Sequence, residues 1–363
     1  LLQACKRNIQ ESKRLFHKAL NLNQNNTAAL FELSKNMQSI AESQELAKKI
    51  DEVNRSHLKK KDEAMLDFAA ANIYHKFKDF AKSSQKLTQA NQLKLSYQKS
   101  DINYHLDLTH KITAKARQVA KGKPTDGTGR IFIIGAPRCG STLLESVLAS
   151  NSNIHDLGES KALSQAFYQT QEQPADKESI PSLSDAYTEK LGFQPSHCTH
   201  TVDKNLYNFR FVEAITRAMP SAKIIHCHRH PLDNILSMLR SNLQAGNNYT
   251  ANPLDAAKFL IHQEKIIRSF KRDHEAHIFT LDYDKFTNQP EKELPQLINW
   301  LGLEWNNLYL HPETTSRLID TASVIQARQP INNKSVGGWK NYMQLLNPAE
   351  NALRESGIFE LQS

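Results

Sequence analysis

One stretch of the sequence, IFIIGAPRCGSTLLESVLASN at residues 131–151, constrains the fold more than any other. Its four apolar residues from Ile131 to Ile134 predict a buried strand, Gly135 to Gly140 predict a turn, and Ser141 to Ser150 predict a helix. A strand, a glycine-bounded turn and a helix in this order direct backbone N–H groups and the positive end of the helix dipole towards one point. The stretch therefore predicts an anion-binding loop of the kind that holds phosphate groups.

The loop lacks the lysine of the nucleotide triphosphatases. Those proteins read G-x-x-x-x-G-K-[ST], in which the lysine reaches the outer phosphates and the hydroxyl holds magnesium. Here the loop reads GAPRCGST, so Ser141 stands at the lysine position and Arg138 lies inside the loop. A P-loop kinase or nucleotide hydrolase stays an alternative, but it would need that lysine and an acidic residue for the metal.

The chain changes character near residue 120. Residues 1–119 contain no Gly or Pro, and their apolar residues recur at helical spacing, so this part is predicted to be all-helical. The next stretch, KGKPTDGTG at residues 121–129, has three Gly and one Pro in nine positions, which is typical of a linker. We therefore predict a helical domain over residues 1–119, a linker over 120–129 and a second domain over 130–363.

Strands and helices alternate after the linker. Strands are predicted at Arg130–Gly135, Cys198–Val202, Lys223–His228 and His277–Leu281, and amphipathic helices include 231–243 and 254–270. This alternation predicts an α/β domain with a mostly parallel sheet flanked by helices, and it places the anion loop at the carboxyl end of the first strand.

The helical part shows weak internal similarity. The segment HKALNLNQNN from His17 aligns with TQANQLKLSY from Thr88, which places Ala19 on Ala90 at an offset of 71 residues, about twice the 34-residue tetratricopeptide period. Tyr74 and Phe80 are the expected large packing partners. A plain helical bundle is the alternative, and in both cases these side chains are expected to pack in the core rather than bind a ligand.

Charge and composition narrow the possible partners. The 46 Lys and Arg against 38 Asp and Glu give a net charge of +8, which favours nucleotides, acidic peptides or nucleic acids. The four cysteines form no C-x-x-C pair. No apolar run reaches the ~18 residues of a membrane span, and the first residues lack the apolar region of a signal peptide. We expect a soluble cytoplasmic protein, although the sequence begins with Leu rather than Met and leaves open whether a segment precedes it.

A second motif, KIIHCHRHPLDNILSMLRSN at residues 223–242, also suggests an anion site. Lys223 to His228 is a predicted strand that Arg229 ends, Pro231 suits the first turn of a helix, and Ser237 lies two turns into it. An arginine at a strand end and a serine on the following helix can bind one phosphate together, the arginine as a bidentate donor and the serine through its hydroxyl.

These two motifs together resemble the sulfotransferases that use 3′-phosphoadenosine 5′-phosphosulfate (PAPS). The closest resemblance is to the tyrosylprotein sulfotransferase branch and its bacterial relatives with amino-terminal tetratricopeptide repeats, over residues 130–345 and, through the repeats, nearly the whole chain. It implies a P-loop-type α/β sulfotransferase domain. It also implies that the 3′-phosphate is bound by Arg229 and Ser237, and that the 5′-phosphosulfate loop comprises Pro137, Arg138, Cys139, Gly140, Ser141, Thr142 and Leu143.

The resemblance also implies the catalytic residues. Glu159 in HDLGES matches the glutamate base of the tyrosylprotein branch, and Lys204 in VDKNLYNF matches a lysine that contacts the sulfuryl group together with Arg138. His155, four residues before Glu159, is the alternative base, because small-molecule sulfotransferases use histidine.

The carboxyl-terminal stretch TASVIQARQPINNKSVGGWKNY resembles the segment of the family that folds over the nucleotide. The resemblance implies that Trp339 anchors this segment and that Tyr283, in FTLDYDKF, lies near the nucleotide. Residues expected near the 3′-phosphate or adenine are Ser323, Arg328 and Lys334.

The expected reaction moves a sulfuryl group from PAPS to a hydroxyl acceptor and leaves adenosine 3′,5′-bisphosphate. A sulfuryl group carries less negative charge than a phosphoryl group, so fixed cations and N–H dipoles suffice and no metal is expected. The expected acceptor is a protein tyrosine bound near the helical domain, a small molecule or a sugar. Neither a nucleic acid nor a membrane is expected as a partner, and the sequence leaves the oligomeric state open. A third class, an inactive scaffold, is disfavoured by the joint presence of the site residues.

Overall fold

The structure is a computed structural model that describes residues 9–171, 181–192, 198–314 and 329–361. Helices alone form the first part of the described chain, as the absence of Gly and Pro predicts. They are α1 (Ile9–Leu22), α2 (Thr27–Ser34), α3 (Ile40–Asp51), α4 (Lys60–Lys76), α5 (Phe80–Tyr97) and α6 (Ile102–Ala116).

The α4–α5 hairpin forms the centre of this helical part. Asp79 caps α5 by accepting a hydrogen bond from the backbone N–H of Lys82 at 3.1 Å, and small residues such as Ala69 and Ala90 are fully buried. Ala90 is thus a core residue, whereas its predicted repeat partner Ala19 is only partly buried. The tetratricopeptide assignment stays a prediction.

The second part contains one five-stranded sheet with the strand order β2-β3-β1-β4-β5, and every pair of neighbours is parallel. The strands are β1 (Arg130–Gly135), β2 (Ile154–Asp156), β3 (His200–Asp203), β4 (Lys223–His228) and β5 (Ile278–Asp282). The predicted parallel sheet is confirmed. Two predicted strands are shifted by one or two residues, and β2 was missed because three residues carry no recognisable alternation.

Helices cover both faces of this sheet. They are α7 (Ser141–Leu148), α8 (Ala162–Gln171), α9 (Leu183–Leu191), α10 (Val212–Ala218), α11 (Pro231–Leu239), α12 (Pro253–Asp273), α13 (Tyr283–Asn288), α14 (Pro290–Trp300) and α15 (Met343–Glu355). One hydrophobic cluster, which contains Phe68, Ile224 and Leu346, continues from the helical part across one face of the sheet, and a second cluster around Ile133 and Leu297 fills the other face. In the described part of the chain, no helix is both long and apolar enough to cross a membrane.

Polar contacts also join the helical part to the sheet part. The side-chain amide of Asn91 donates to the carbonyl of Leu239 at 3.0 Å, and the ammonium of Lys94 donates to the carbonyl of Leu243. Burial lowers the pKa of Lys94 to about 8. The hydroxyl of Tyr342 lies 2.7 Å from Nδ1 of His75. Helix α5 therefore supports the end of α11 and the chain after it; whether residues 1–119 form a separate domain stays a prediction.

Candidate active site

The anion loop follows β1, which is the central strand of the sheet, as the sequence predicts. Arg138 has a φ of 70° and Gly140 a φ of 101°, so the loop turns sharply before α7 begins at Ser141. A Cβ atom on Gly140 would lie 2.1 Å from Cδ2 of Tyr283. Only glycine fits here, because both the positive φ and the packed tyrosine ring exclude a side chain.

The two predicted anion motifs meet in space. Nε of Arg138 donates a hydrogen bond to Oγ of Ser237 at 3.1 Å, and Nη1 of Arg229 donates to the carbonyl of Arg138 at 3.2 Å. Burial and, to a smaller extent, the positive charge of Arg229 lower the pKa of Arg138 to about 10, so the group stays protonated at neutral pH. Arg138 is half-buried and Arg229 is buried, so their neighbouring guanidinium groups repel each other, and a bound anion would relieve this repulsion.

Arg229 is held between the loop and the carboxyl-terminal part of the chain. Its Nη2 donates to the carbonyl of Ser335 at 2.7 Å, and its guanidinium lies 4.8 Å from the centre of the Tyr283 ring. Its Nε is a buried donor with no hydrogen-bond partner among the described residues. A buried donor of this kind fits an anionic ligand, because leaving it unsatisfied is costly.

The segment around Trp339 is anchored as the resemblance implies. Asp233 of α11 accepts hydrogen bonds from the backbone N–H groups of Gly337 at 2.6 Å and of Trp339 at 2.9 Å. The Trp339 ring stacks on His230, with 5.0 Å between the ring centres. The chain near residue 335 is thereby fixed over Arg229.

Glu159 and Lys204 form an ion pair at the edge of the site. Lys204 directly follows β3, Glu159 follows β2, and Nζ of Lys204 lies 2.8 Å from Oε1 of Glu159. The lysine side chain is fully buried, whereas the glutamate side chain is 58% exposed. The two residues come together because the carboxyl ends of neighbouring parallel strands lie at the same edge of a sheet.

Other predicted site residues have different positions. His155 lies within β2, where it pairs with Thr201, and not beyond the carboxyl end of the strand. Leu143 packs its side chain against the second hydrophobic cluster, and Lys334 is exposed next to Ser335. Ser323 and Arg328 lie outside the described residues.

Sequence reasoning missed two buried carboxyl groups beside Lys204. Glu145 of α7 has Oε2 at 4.0 Å from Nζ of Lys204. Asp203 accepts hydrogen bonds from the hydroxyl of Tyr187 at 3.0 Å and the amide of Asn208 at 3.1 Å, and burial raises its pKa to about 7. A signal existed for Glu145, since it is the one charged residue of the otherwise uncharged helix STLLESVL.

No group of three or more His, Cys, Asp or Glu side chains that could hold a metal ion occurs within the described ranges. The candidate site there contains cations, hydroxyl groups, the exposed carboxylate of Glu159 and the buried carboxyl groups of Glu145 and Asp203.

The fold is an α/β domain in which arginines from two motifs meet at the carboxyl end of the central strands. Residues 130–307 match the model of the Sulfotransferase family. This part of the chain is therefore similar to the Sulfotransferase family, in line with the resemblance seen in the sequence.

Two curated proteins illustrate the similarity. An "Uncharacterized protein" of Aquifex aeolicus (strain VF5) is 27% identical over 326 residues, which cover 84% of this chain and 43% of that protein. The chain thus spans less than half the length of this relative. A Caenorhabditis briggsae protein named "Putative protein-tyrosine sulfotransferase" is 23% identical over 225 residues, which cover 58% of this chain and 80% of that protein.

Three solved structures that are similar to this chain are a sulfotransferase and two sulfotransferase domains. The sulfotransferase domain from the Synechococcus PCC 7002 olefin synthase has a TM-score of 0.46 and 16% identity, and the match covers 67% of this chain and 99% of that chain. The sulfotransferase domain from the curacin biosynthetic pathway has a TM-score of 0.44 and 17% identity, with 64% of this chain and 99% of that chain covered. Mouse sulfotransferase SULT7A1, solved in complex with PAP, has a TM-score of 0.41 and 15% identity, with coverages of 68% and 88%.

Proposed function

We propose that this protein transfers a sulfuryl group from PAPS to a hydroxyl acceptor. The observation that carries this proposal is the convergence of Arg138, Ser237 and Arg229 at the carboxyl end of the central strands. An arginine within the loop suits a planar, bidentate contact with an oxyanion. The sulfotransferase-family match of residues 130–307 supports the same reaction.

The residues fit the donor in two groups. The loop from Pro137 to Thr142 would hold the 5′-phosphosulfate with backbone N–H groups at the start of α7, and Leu143 would support the loop through its core packing. Arg229 and Ser237 would hold the 3′-phosphate, and Nε of Arg229 supplies a buried donor for it. Further proposed contacts to the nucleotide come from Tyr283, Ser323, Arg328 and Lys334.

The donor supplies the sulfuryl group, and the protein positions charges around it. In the proposed step the acceptor oxygen bonds to sulfur, the bond from sulfur to the phosphate oxygen breaks, and Glu159 takes the hydroxyl proton. Arg138 and Lys204 stabilise the negative charge on the leaving and transferring oxygens. Lys204 is paired with Oε1 of Glu159 at 2.8 Å, and this pair loses its negative partner when the glutamate accepts the proton.

For the acceptor we propose a tyrosine of a peptide or protein, which the helical part would help to bind. The high exposure of the Glu159 side chain supports this choice, because a base at the surface is accessible to a large acceptor. A small molecule or a sugar is the second candidate.

The proposal is tested with radiolabelled PAPS and three acceptor sets: tyrosine peptides, small phenols and sugars. We expect label transfer to the peptides and none with the Glu159→Gln variant. In a parallel thermal-shift measurement, adenosine 3′,5′-bisphosphate should raise the melting temperature without magnesium, whereas ATP with magnesium should not. Stabilisation by magnesium-ATP alone, with no label transfer in any set, would contradict the proposal and favour a kinase or hydrolase.

A further inference from the structure

Glu145 is a buried carboxylate next to the proposed catalytic lysine. It belongs to α7, the helix that begins at the anion loop, and its side chain is only 2% exposed. Its neighbours on this helix, Leu144 and Val147, are fully buried core residues. A carboxylate in such surroundings is costly unless a cation is close, and Nζ of Lys204 lies 4.0 Å from its Oε2.

Two carboxyl groups lie close to the Lys204 ammonium. Glu159 approaches from the chain after β2 and Glu145 from α7, at 2.8 and 4.0 Å respectively. Asp203 precedes Lys204 in the chain, but its oxygens accept hydrogen bonds from Tyr187 and Asn208. Among the described residues, Glu145 and Glu159 are therefore the ion-pair partners of the lysine.

These two partners have different environments. Glu159 is 58% exposed and is accessible to an acceptor, whereas the Glu145 side chain is only 2% exposed. In the proposed reaction Glu159 becomes neutral when it takes the acceptor proton. At that moment Lys204, which is fully buried, would lose its nearest negative charge, and burial without a counterion favours the neutral amine.

We propose that Glu145 is the lasting counterion of Lys204, which keeps the lysine protonated and in position while Glu159 acts as the base. This inference rests on the proposed function for the catalytic role of Lys204. The ion pair between Glu145 and Lys204 is independent of that function. Glu145 is a positioning residue in this scheme, because it acts through the lysine and does not contact the reacting atoms.

The first test compares Glu145→Gln with the wild type. We expect kcat to fall about tenfold and the alkaline limb of the kcat profile to move to lower pH by about one unit, since losing a counterion lowers a lysine pKa and one unit corresponds to a tenfold change. The Kd of adenosine 3′,5′-bisphosphate should stay within about twofold, because this product has no sulfuryl group for Lys204 to contact. Glu145→Asp, which keeps the charge, should restore part of the activity.

A matched control removes another buried carboxylate, which belongs to the helical part of the chain. Asp67 in α4 bonds Arg55 at 3.1 Å and Lys86 at 3.2 Å. Asp67→Asn should lower stability without moving the alkaline limb. If Asp67→Asn and Glu145→Gln change kcat and the pH profile alike, Glu145 has only a structural role and the proposal is wrong.

The second test needs no turnover. Protein with ¹³C at the lysine ε position is titrated by NMR, and the Lys204 signal is assigned by its loss in Lys204→Met. In a Glu159→Gln background, adding Glu145→Gln should lower the Lys204 midpoint by about one unit or more, because the remaining carboxylate partner is removed. An unchanged midpoint overturns the proposal. If the wild type transfers no sulfuryl group while the midpoint still falls, the proposed function fails but the counterion role stands.

Discussion

Nε of Arg138 donates a hydrogen bond to Oγ of Ser237 at 3.1 Å, although 99 positions separate the two residues in the chain. One lies in the loop after β1 and the other on the helix after β4, and these two strands are neighbours. Because both strands run in the same direction, their following segments meet at one edge of the sheet. A substitution in one of the two motifs is therefore expected to alter the position of the side chains of the other.

Arg138→Ala should remove most of the turnover while the fold stays intact. Loss of one preorganised electrostatic contact to developing charge typically costs about 10²- to 10³-fold in rate. The rate is measured with labelled PAPS, and circular dichroism checks the fold. Arg272→Ala is the control, since this side chain is 77% exposed on α12. An Arg138→Ala rate within about threefold of the wild type would exclude the proposed role.

Arg229→Ala should weaken nucleotide binding rather than the chemical step. Loss of a charge-assisted contact to the 3′-phosphate costs about 1.5–3 kcal/mol. Calorimetry should show that the wild type prefers adenosine 3′,5′-bisphosphate to adenosine 5′-monophosphate and that the variant has lost this preference. A variant that keeps it would show that the 3′-phosphate binds elsewhere.

Glu159→Gln should abolish sulfuryl transfer and keep nucleotide binding, whereas His155→Ala should keep much of the activity. Glutamine preserves the shape of the side chain but cannot accept the proton. Single-turnover assays and calorimetry on both variants check this. If His155→Ala is inactive and Glu159→Gln turns over normally, histidine is the base and a small-molecule acceptor is favoured.

Gly140→Ala should abolish nucleotide binding, because the new Cβ would meet the Tyr283 ring at 2.1 Å and the backbone has a φ of 101°. Gly302→Ala separates the backbone strain from the clash with the ring, because Gly302 has a φ of 72° but an added Cβ would have nothing within 4 Å. The control should lose only about 1–3 kcal/mol of stability from backbone strain. Equal nucleotide affinity in Gly140→Ala and the wild type would contradict the described loop geometry.

Acidification should destabilise the protein through buried histidines. Burial lowers the pKa of His226 to about 4, against an ordinary value of about 6.5. The folded state thus binds this proton more weakly than the unfolded state. The free energy of unfolding therefore has its full value above pH ~6.5 and falls as the pH drops towards 4. From pH 7 to 5 we expect a loss of about 2 kcal/mol from this residue.

Urea unfolding at both pH values measures this loss, and His226→Gln should reduce it. His274→Gln is the control, since this residue lies on the chain after α12 and is paired with Glu213 at 3.0 Å. An equal pH dependence in the wild type and His226→Gln would show that His226 titrates normally in the folded state.

Local patterns were sufficient for several elements of the fold. The run from Ile131 to Ile134 is apolar throughout because β1 is central and buried on both faces, so the strand was recognisable without a partner. Pro231 and Gly140 marked the starts of α11 and α7 correctly, because each has a backbone preference that is independent of distant residues. The short strand β2 was not recognisable, since its extended conformation depends on pairing with β3.

The sequence by itself determined the residue types of the candidate site and the strands and helices that carry them, because these follow from local spacing and backbone preference. Only the tertiary structure decided which of them meet. Strand order placed Arg138 beside Ser237 and Glu159 beside Lys204, and the packing of α7 on the sheet placed Glu145 near the same lysine. Such contacts depend on long-range packing, which no short stretch of sequence specifies.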